Sequence, residues 1–159
     1  MCEQSGIKIR EFKTGDLAGI KELVCRTIDC CYPDSYCPEA VKFFKQWHHD
    51  DKILKDAKEG YTVILEQGGR IVGTGTVVGD GIVRVFVEPS SQKCGFGKLI
   101  MQKLEEKALS QGINLVKLDA SLPSKKFYDL LGYVTLEETF LEVENKKRLD
   151  YYKMQKSLL

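Results

Sequence analysis

Between Tyr61 and Val87 three strand-like runs, Tyr61–Glu66, Arg70–Val78 and Ile82–Val87, are joined by Gln67-Gly68-Gly69 and Gly79-Asp80-Gly81. Glycine reaches the positive-φ conformations that tight hairpins need, and turns this short leave neighbouring strands antiparallel. The segment therefore predicts a three-strand meander. A chain that contains one must build a sheet around it.

The flanks supply the rest. Ile7-Lys8-Ile9-Arg10-Glu11-Phe12 alternates as a half-buried strand does, and Thr14-Gly15-Asp16 offers caps for a helix carrying Leu17, Ile20, Leu23 and Val24 to about Asp29. Cys30 to Cys37 reads as a loop because Pro33 and Asp34-Ser35 favour turns. Pro38 opens a second helix through His48 with Val41, Phe44 and Trp47 on one face, extended by Ile53, Leu54 and Ala57. After the meander come a helix with Ile100, Leu104 and Ala108 ending at Gly112, a strand at Leu115–Ala120, and a short helix from Ser124 to Leu131. Tyr133–Val143 and Asp150–Leu158 read as final strands. This order, β-α-α-β-β-β-α-β-α-β-β, predicts an α/β (α+β) fold whose mixed sheet has helices on both faces.

The chain has 159 residues, 43% hydrophobic and 30% charged, which suits one domain over 1–159 and excludes intrinsic disorder. Lys and Arg number 24 against 23 Asp and Glu, so no excess charge recommends a nucleic acid or a membrane surface as partner. Met1 to Gly6 lacks the basic and apolar regions of a signal peptide, and no apolar run nears the ~18 residues of a membrane span. A cytoplasmic protein is expected. In that compartment Cys2, Cys25, Cys30, Cys31, Cys37 and Cys94 are expected as reduced thiols.

The stretch richest in chemistry runs from Val87 to Lys98, Val-Glu-Pro-Ser-Ser-Gln-Lys-Cys-Gly-Phe-Gly-Lys, between a hydrophobic strand and a long helix. Glycines let a backbone approach a ligand closely, and the first helical turn presents unpaired N–H groups with partial positive charge. The loop is either a phosphate cradle, with Lys93 and Lys98 adding charge, or a turn that merely shapes the helix start. A Walker A loop fails on spacing, since only Phe96 separates Gly95 from Gly97-Lys98 and Leu99 stands at the hydroxyl position. The dinucleotide fingerprint fits slightly better, since a helix, a strand and Asp119 follow Gly95 and Gly97, but Ile100 stands at its third glycine and the Glu88–Cys94 loop is too long for its tight turn.

Gln92-x-x-Gly95-x-Gly97, after a strand ending Val87-x-Pro89, resembles the acyl-CoA pyrophosphate loop of the GNAT superfamily of N-acetyltransferases. Phe127-Tyr128-x-x-Leu131-Gly132-Tyr133 resembles that superfamily's second recurrent segment, at the right separation. The resemblance implies a mostly antiparallel sheet and acetyl-CoA as co-substrate, with no metal. It implies that the backbone of Gln92, Lys93, Cys94, Gly95, Phe96, Gly97 and Lys98 holds the pyrophosphate, and that Val85, Phe86 and Val87 pair with the pantetheine arm. Ser121, Ser124 and Phe127 would line the cofactor and Tyr128 would reach the CoA sulfur. Ser121 departs from the Asn common at its place, and Ser124 from Ala.

The implied reaction is transfer of an acetyl group to a primary amine of a small molecule or peptide by direct attack, with Tyr128 as general acid and a bulge near Phe86 or Val87 supplying an oxyanion N–H. Asp80, Glu88, Asp119, His48 and His49 are candidate bases, none singled out. The segment over the acetyl site carries Asp29, Asp34, Glu39, Asp50 and Asp51 against Lys42 and Lys45, which favours a cationic acceptor or is simply a solvated surface. A zinc site among Cys25, Cys30, Cys31, Cys37, His48 and His49 lacks paired Cys-x-x-Cys units. A non-catalytic acyl-CoA sensor or interaction module is the alternative, and the oligomeric state is open, a homodimer included.

Overall fold

Seven strands form one sheet in the order β1-β2-β3-β4-β5-β7-β6 in the computed structural model, which describes residues 6–159. The strands are β1 (Ile7–Glu11), β2 (Tyr61–Gln67), β3 (Arg70–Val78), β4 (Gly81–Val87), β5 (Leu115–Ser121), β6 (Val134–Val143) and β7 (Lys147–Ser157). The helices are α1 (Leu17–Cys31), α2 (Pro38–Trp47), α3 (Asp50–Glu59), α4 (Phe96–Ser110) and α5 (Lys125–Leu130). Every neighbouring pair is antiparallel except β4 with β5, which is parallel. The expected meander is β2-β3-β4.

Both faces of the central strands are covered. On one, α4 sets Ile100, Leu104 and Ala108 against Val63, Leu65 and Val77. Burying each of the larger side chains, Ile100, Leu104, Val63, Leu65 and Val77, contributes about 1.5–3 kcal/mol. On the other, α1 presents Ile20, Leu23, Val24 and Ile28 to Ile64 and Phe86. Their three- and four-residue spacing is one stripe of a 3.6-residue helix. Gly73 and Gly75 let α4 approach: a Cβ at Gly75 would lie 2.7 Å from Ile100 Cγ2 and 2.9 Å from Leu104 Cδ1.

Three elements differ from expectation. α1 runs on to Cys31, so Cys30 and Cys31 are helical rather than in the loop. Ile53, Leu54 and Ala57 belong to a separate helix, α3, because the chain leaves helical geometry at His48 (ψ 53°) and His49 is extended. The His49 Nδ1 then caps α3 by accepting from the Lys52 N–H at 3.4 Å, and Asp50 and Asp51 favour the helix N-terminus. β7 begins at Lys147, three residues ahead of Asp150. The expectations for Met1 to Ser5, a leaderless start and a reduced Cys2, lie outside the described residues.

Candidate active site

β4 and β5 are paired at Gly81↔Lys117, with the Lys117 N–H donating to Asp80 O at 2.8 Å, and then part. Beyond that point the β5-facing edge of β4 is unpaired, and its N–H and C=O groups can accept an extended ligand as a strand. A cavity of about 510 Å³ occupies this opening, lined among others by Val85, Phe86, Asp119, Ser121, Ser124 and Tyr128.

A bulge shapes the β4 wall. Thr74 faces Phe86 and Thr76 faces Val83, so Arg84 and Val85 together oppose Gly75. The extra residue shifts the alternation: Ile82 and Val85 both join the α4-side core while Phe86 joins the α1-side core. The bulge therefore lies at Arg84 and Val85, ahead of the Phe86–Val87 position expected. Arg84 sits at φ 55°, which costs a non-glycine residue about 1–2 kcal/mol. Its buried side chain is anchored at both ends, Nε donating to His48 Nδ1 and Nη2 to Asp56 Oδ2, each at 3.0 Å.

The loop after β4 turns the chain into α4. Glu88 N–H donates to Val72 O and Ser91 N–H to Glu88 O, both at 2.8 Å. Lys93 and Gly95 adopt positive φ, 63° and 83°, which curls the backbone into the kind of concavity that binds anions beside a helix N-terminus. Gln92 folds its side chain back, Nε2 donating to Val87 O at 3.0 Å, so it braces the loop. Phe96 is buried in the core, and Lys93 and Lys98 are exposed. Gly97 is required by packing as well: a Cβ there would lie 2.9 Å from two ring carbons of Phe127. Cys94 is disulfide-bonded, which corrects the expectation of a reduced thiol there. Cys25, Cys30, Cys31 and Cys37 are free.

Across the cavity, α5 carries Phe127 and Tyr128 in edge-on contact, 5.0 Å between ring centres. Tyr128 is buried, yet its hydroxyl has no partner among the described residues while no buried side-chain oxygen is left unsatisfied, so the hydroxyl opens into the cavity. Burial pushes its pKa up, with Tyr32 adding to the shift. The Oγ atoms of Ser121 and Ser124 are 2.7 Å apart, tying the end of β5 to the start of α5. Tyr36, which sequence reasoning missed, donates to Asp150 O at 2.7 Å and accepts from the Leu122 N–H at 2.9 Å. It locks the α1–α2 connection over β5 and β7.

The candidate bases separate on geometry. Glu88 is held by Arg26 at 3.1 Å, Asp80 is exposed beside Lys117, and His49 caps α3. His48 lines the cavity, but burial and then Arg84 lower its pKa to about 3. Asp119 is the one carboxylate in the lining among the described residues, and burial raises its pKa against the opposing Lys153. Asp29, Asp34, Glu39, Asp50 and Asp51 do not line the cavity, and Asp29 and Asp50 pair with Lys45 and Lys21. No cluster of three or more His, Cys, Asp or Glu among the described residues could hold a metal, and no described helix is long and apolar enough to cross a membrane.

Residues 32–158 match the profile of the Acetyltransferase (GNAT) domain family. The curated Bacillus subtilis (strain 168) protein "Putative acetyltransferase BSU40680" is 38% identical over 58 residues, 36% of this chain and 40% of that relative's length. A GCN5-related N-acetyltransferase structure from Rhodopseudomonas palustris superposes with a TM-score of 0.88 at 23% identity, covering 99% of both chains. PaiA N-acetyltransferase from Thermoplasma acidophilum, solved with coenzyme A, gives 0.72 at 15% identity over 95% of this chain and 98% of its own. For yncA of Salmonella typhimurium, solved with its cofactor acetyl-CoA, the values are 0.68 at 17%, over 98% and 95%. At these identities the structural likenesses establish the fold, and the profile match over most of the chain establishes the rest: this protein belongs to the GNAT acetyltransferase domain family.

Proposed function

We propose that the protein transfers an acetyl group from acetyl-CoA to a primary amine by direct attack in the opening between β4 and β5. The observation that carries this reading is the parting of those two parallel neighbours after a single pair, with the N-terminus of α4 following the open end of β4. Backbone N–H groups from Gln92 to Lys98 hold the pyrophosphate, and the edge of β4 at Val85, Phe86 and Val87, which has no strand partner on the β5 side, pairs with the pantetheine arm. Coenzyme A in the Thermoplasma acidophilum structure and acetyl-CoA in the Salmonella typhimurium structure support the choice of co-substrate.

In the reaction the amine nitrogen forms a bond to the thioester carbonyl carbon, and negative charge gathers on its oxygen. A backbone N–H at the Arg84–Val85 bulge is the donor for that charge. Asp119 takes the proton the amine gives up, its raised pKa making it a better base than an ordinary carboxylate. The C–S bond then breaks and the electron pair leaves on sulfur. Tyr128, like any tyrosine, holds its proton at neutral pH, and burial tightens that hold, so it meets the departing thiolate as a hydrogen-bond donor. Full proton transfer is uphill by more than the ~2 kcal/mol that separates an unperturbed tyrosine from a thiol.

The test is thiol release from acetyl-CoA across a panel of primary amines, run beside a thermal-shift measurement with coenzyme A. Amine-dependent release with stabilisation by the coenzyme is expected. Stabilisation without release for any amine would leave a binding module and overturn the transferase reading.

A further inference from the structure

The cavity holds more hydrogen-bond donors than the chain itself satisfies. His48 Nδ1 accepts from Arg84 Nε at 3.0 Å, so the neutral imidazole carries its proton on Nε2. Neither His48 Nε2 nor Arg84 Nη1 has a partner among the described residues. Both side chains are buried, and no buried side-chain nitrogen is left unsatisfied, so these two atoms open into the cavity their residues line. Lys52 adds a third donor, with Nζ 4.8 Å above the Trp47 ring and no salt bridge among the described residues.

The walls around these donors are apolar. Phe43 stacks on Trp47 at 5.8 Å, Phe44 and Phe86 enclose Tyr32, and Trp47 is 50% exposed although it borders the cavity. Among the described residues Asp119 is the only carboxylate in the lining, and the five acidic residues that suggested a cationic acceptor lie outside it. Unanswered donors in an apolar cavity are complemented by a ligand with a large flat apolar group and an oxygen acceptor.

We infer that the acceptor amine is an aromatic amino acid or its amide, whose carboxylate or carbonyl oxygen is read by His48 Nε2–H and Arg84 Nη1 while its ring lies against Trp47 and Phe43. The inference rests on the transferase reading and narrows it. It makes His48 a specificity-determining donor, with no part in proton abstraction.

The experiment compares kcat/KM, on the concentration of free-base amine, for phenylalanine, phenylalanine amide, phenethylamine and alanine. Phenylalanine and its amide are each expected to exceed phenethylamine, which lacks the oxygen, and phenylalanine to exceed alanine, in each case by at least tenfold. In His48→Phe the advantage of the oxygen-bearing amines should shrink to threefold or less, through KM. Phenethylamine matching phenylalanine and its amide in the wild type overturns the inference while leaving the transferase in place, and that comparison stands even if the variant does not fold. Absence of thiol release with every amine tested overturns the transferase reading itself.

Discussion

The Nε of Arg84 and the Nδ1 of His48 are joined across 3.0 Å, a contact between residues 36 apart in sequence. On the far side of the same guanidinium lies Asp56 of α3. A strand residue in left-handed geometry is thus pinned by two segments that follow α1, and the β4 wall of the cavity inherits its shape from that anchorage.

His48 makes stability depend on pH. Its pKa is about 3 in the fold and ordinarily about 6.5 in an unfolded chain, so below pH 6.5 the unfolded state binds a proton that the folded state refuses. Arg84 and Lys52 oppose the charge and Phe86 abuts the ring. Stability from this residue is present above pH 6.5 and lost as pH falls toward 3, at about 1.4 kcal/mol per unit. Urea unfolding at pH 7 and pH 5 should differ by about 2 kcal/mol more in the wild type than in His48→Gln. Equal differences in the two proteins would sink this account.

Arg84→Ala should destabilise by about 3–5 kcal/mol, because it leaves the buried Asp56 carboxylate unpaired. Arg84→Gly, which tolerates φ 55° freely, should recover about 1–2 kcal/mol of that loss. If glycine proves no better than alanine in denaturant unfolding, the bulge does not keep its left-handed residue in solution.

Gly97→Ala drives a methyl group into the Phe127 ring at 2.9 Å, and a packed aromatic cannot swing away cheaply. A cost of about 1–3 kcal/mol is expected, with weaker stabilisation by coenzyme A because α5 moves relative to the start of α4. Trimming the ring in the Gly97→Ala, Phe127→Leu double variant should restore part of both. A strictly additive pair in thermal-shift measurements would show that the two positions do not touch.

Tyr128→Phe is expected to lower kcat about a hundredfold with little change in KM for acetyl-CoA if, as proposed, the hydroxyl donates a hydrogen bond to the departing sulfur. Asp119→Asn should lower kcat by a similar factor and abolish the acid limb of the pH–rate profile, once rates are expressed per free-base amine. That limb should lie above the ordinary carboxylate range because burial raises the pKa of Asp119. An unchanged limb in Asp119→Asn assigns the proton to another group.

Local periodicity carried much of the fold. Ile20, Leu23, Val24 and Ile28 sit on one helical stripe and meet the sheet as their spacing predicts, and the paired glycine turns produce the meander. The boundary between α2 and α3 was less visible, although Asp50-Asp51 after two histidines is the acidic first turn that marks a helix start. The acidic residues that stand close together in the 29–51 segment are dispersed in space: Asp29 is drawn to Lys45 and Asp50 to Lys21.

By itself the sequence determined the strand and helix order, the Gln92–Lys98 loop at the head of α4 and the aromatic pair Phe127-Tyr128, because each depends on residues within a turn or two of one another. Only the tertiary structure decided where β4 bulges, that His48 Nδ1 accepts from Arg84, and that Asp119 alone among the carboxylates of the described residues lines the cavity. Those properties arise from burial and from contacts spanning tens of residues, such as the 28 that separate Asp56 from Arg84, and no local pattern encodes them.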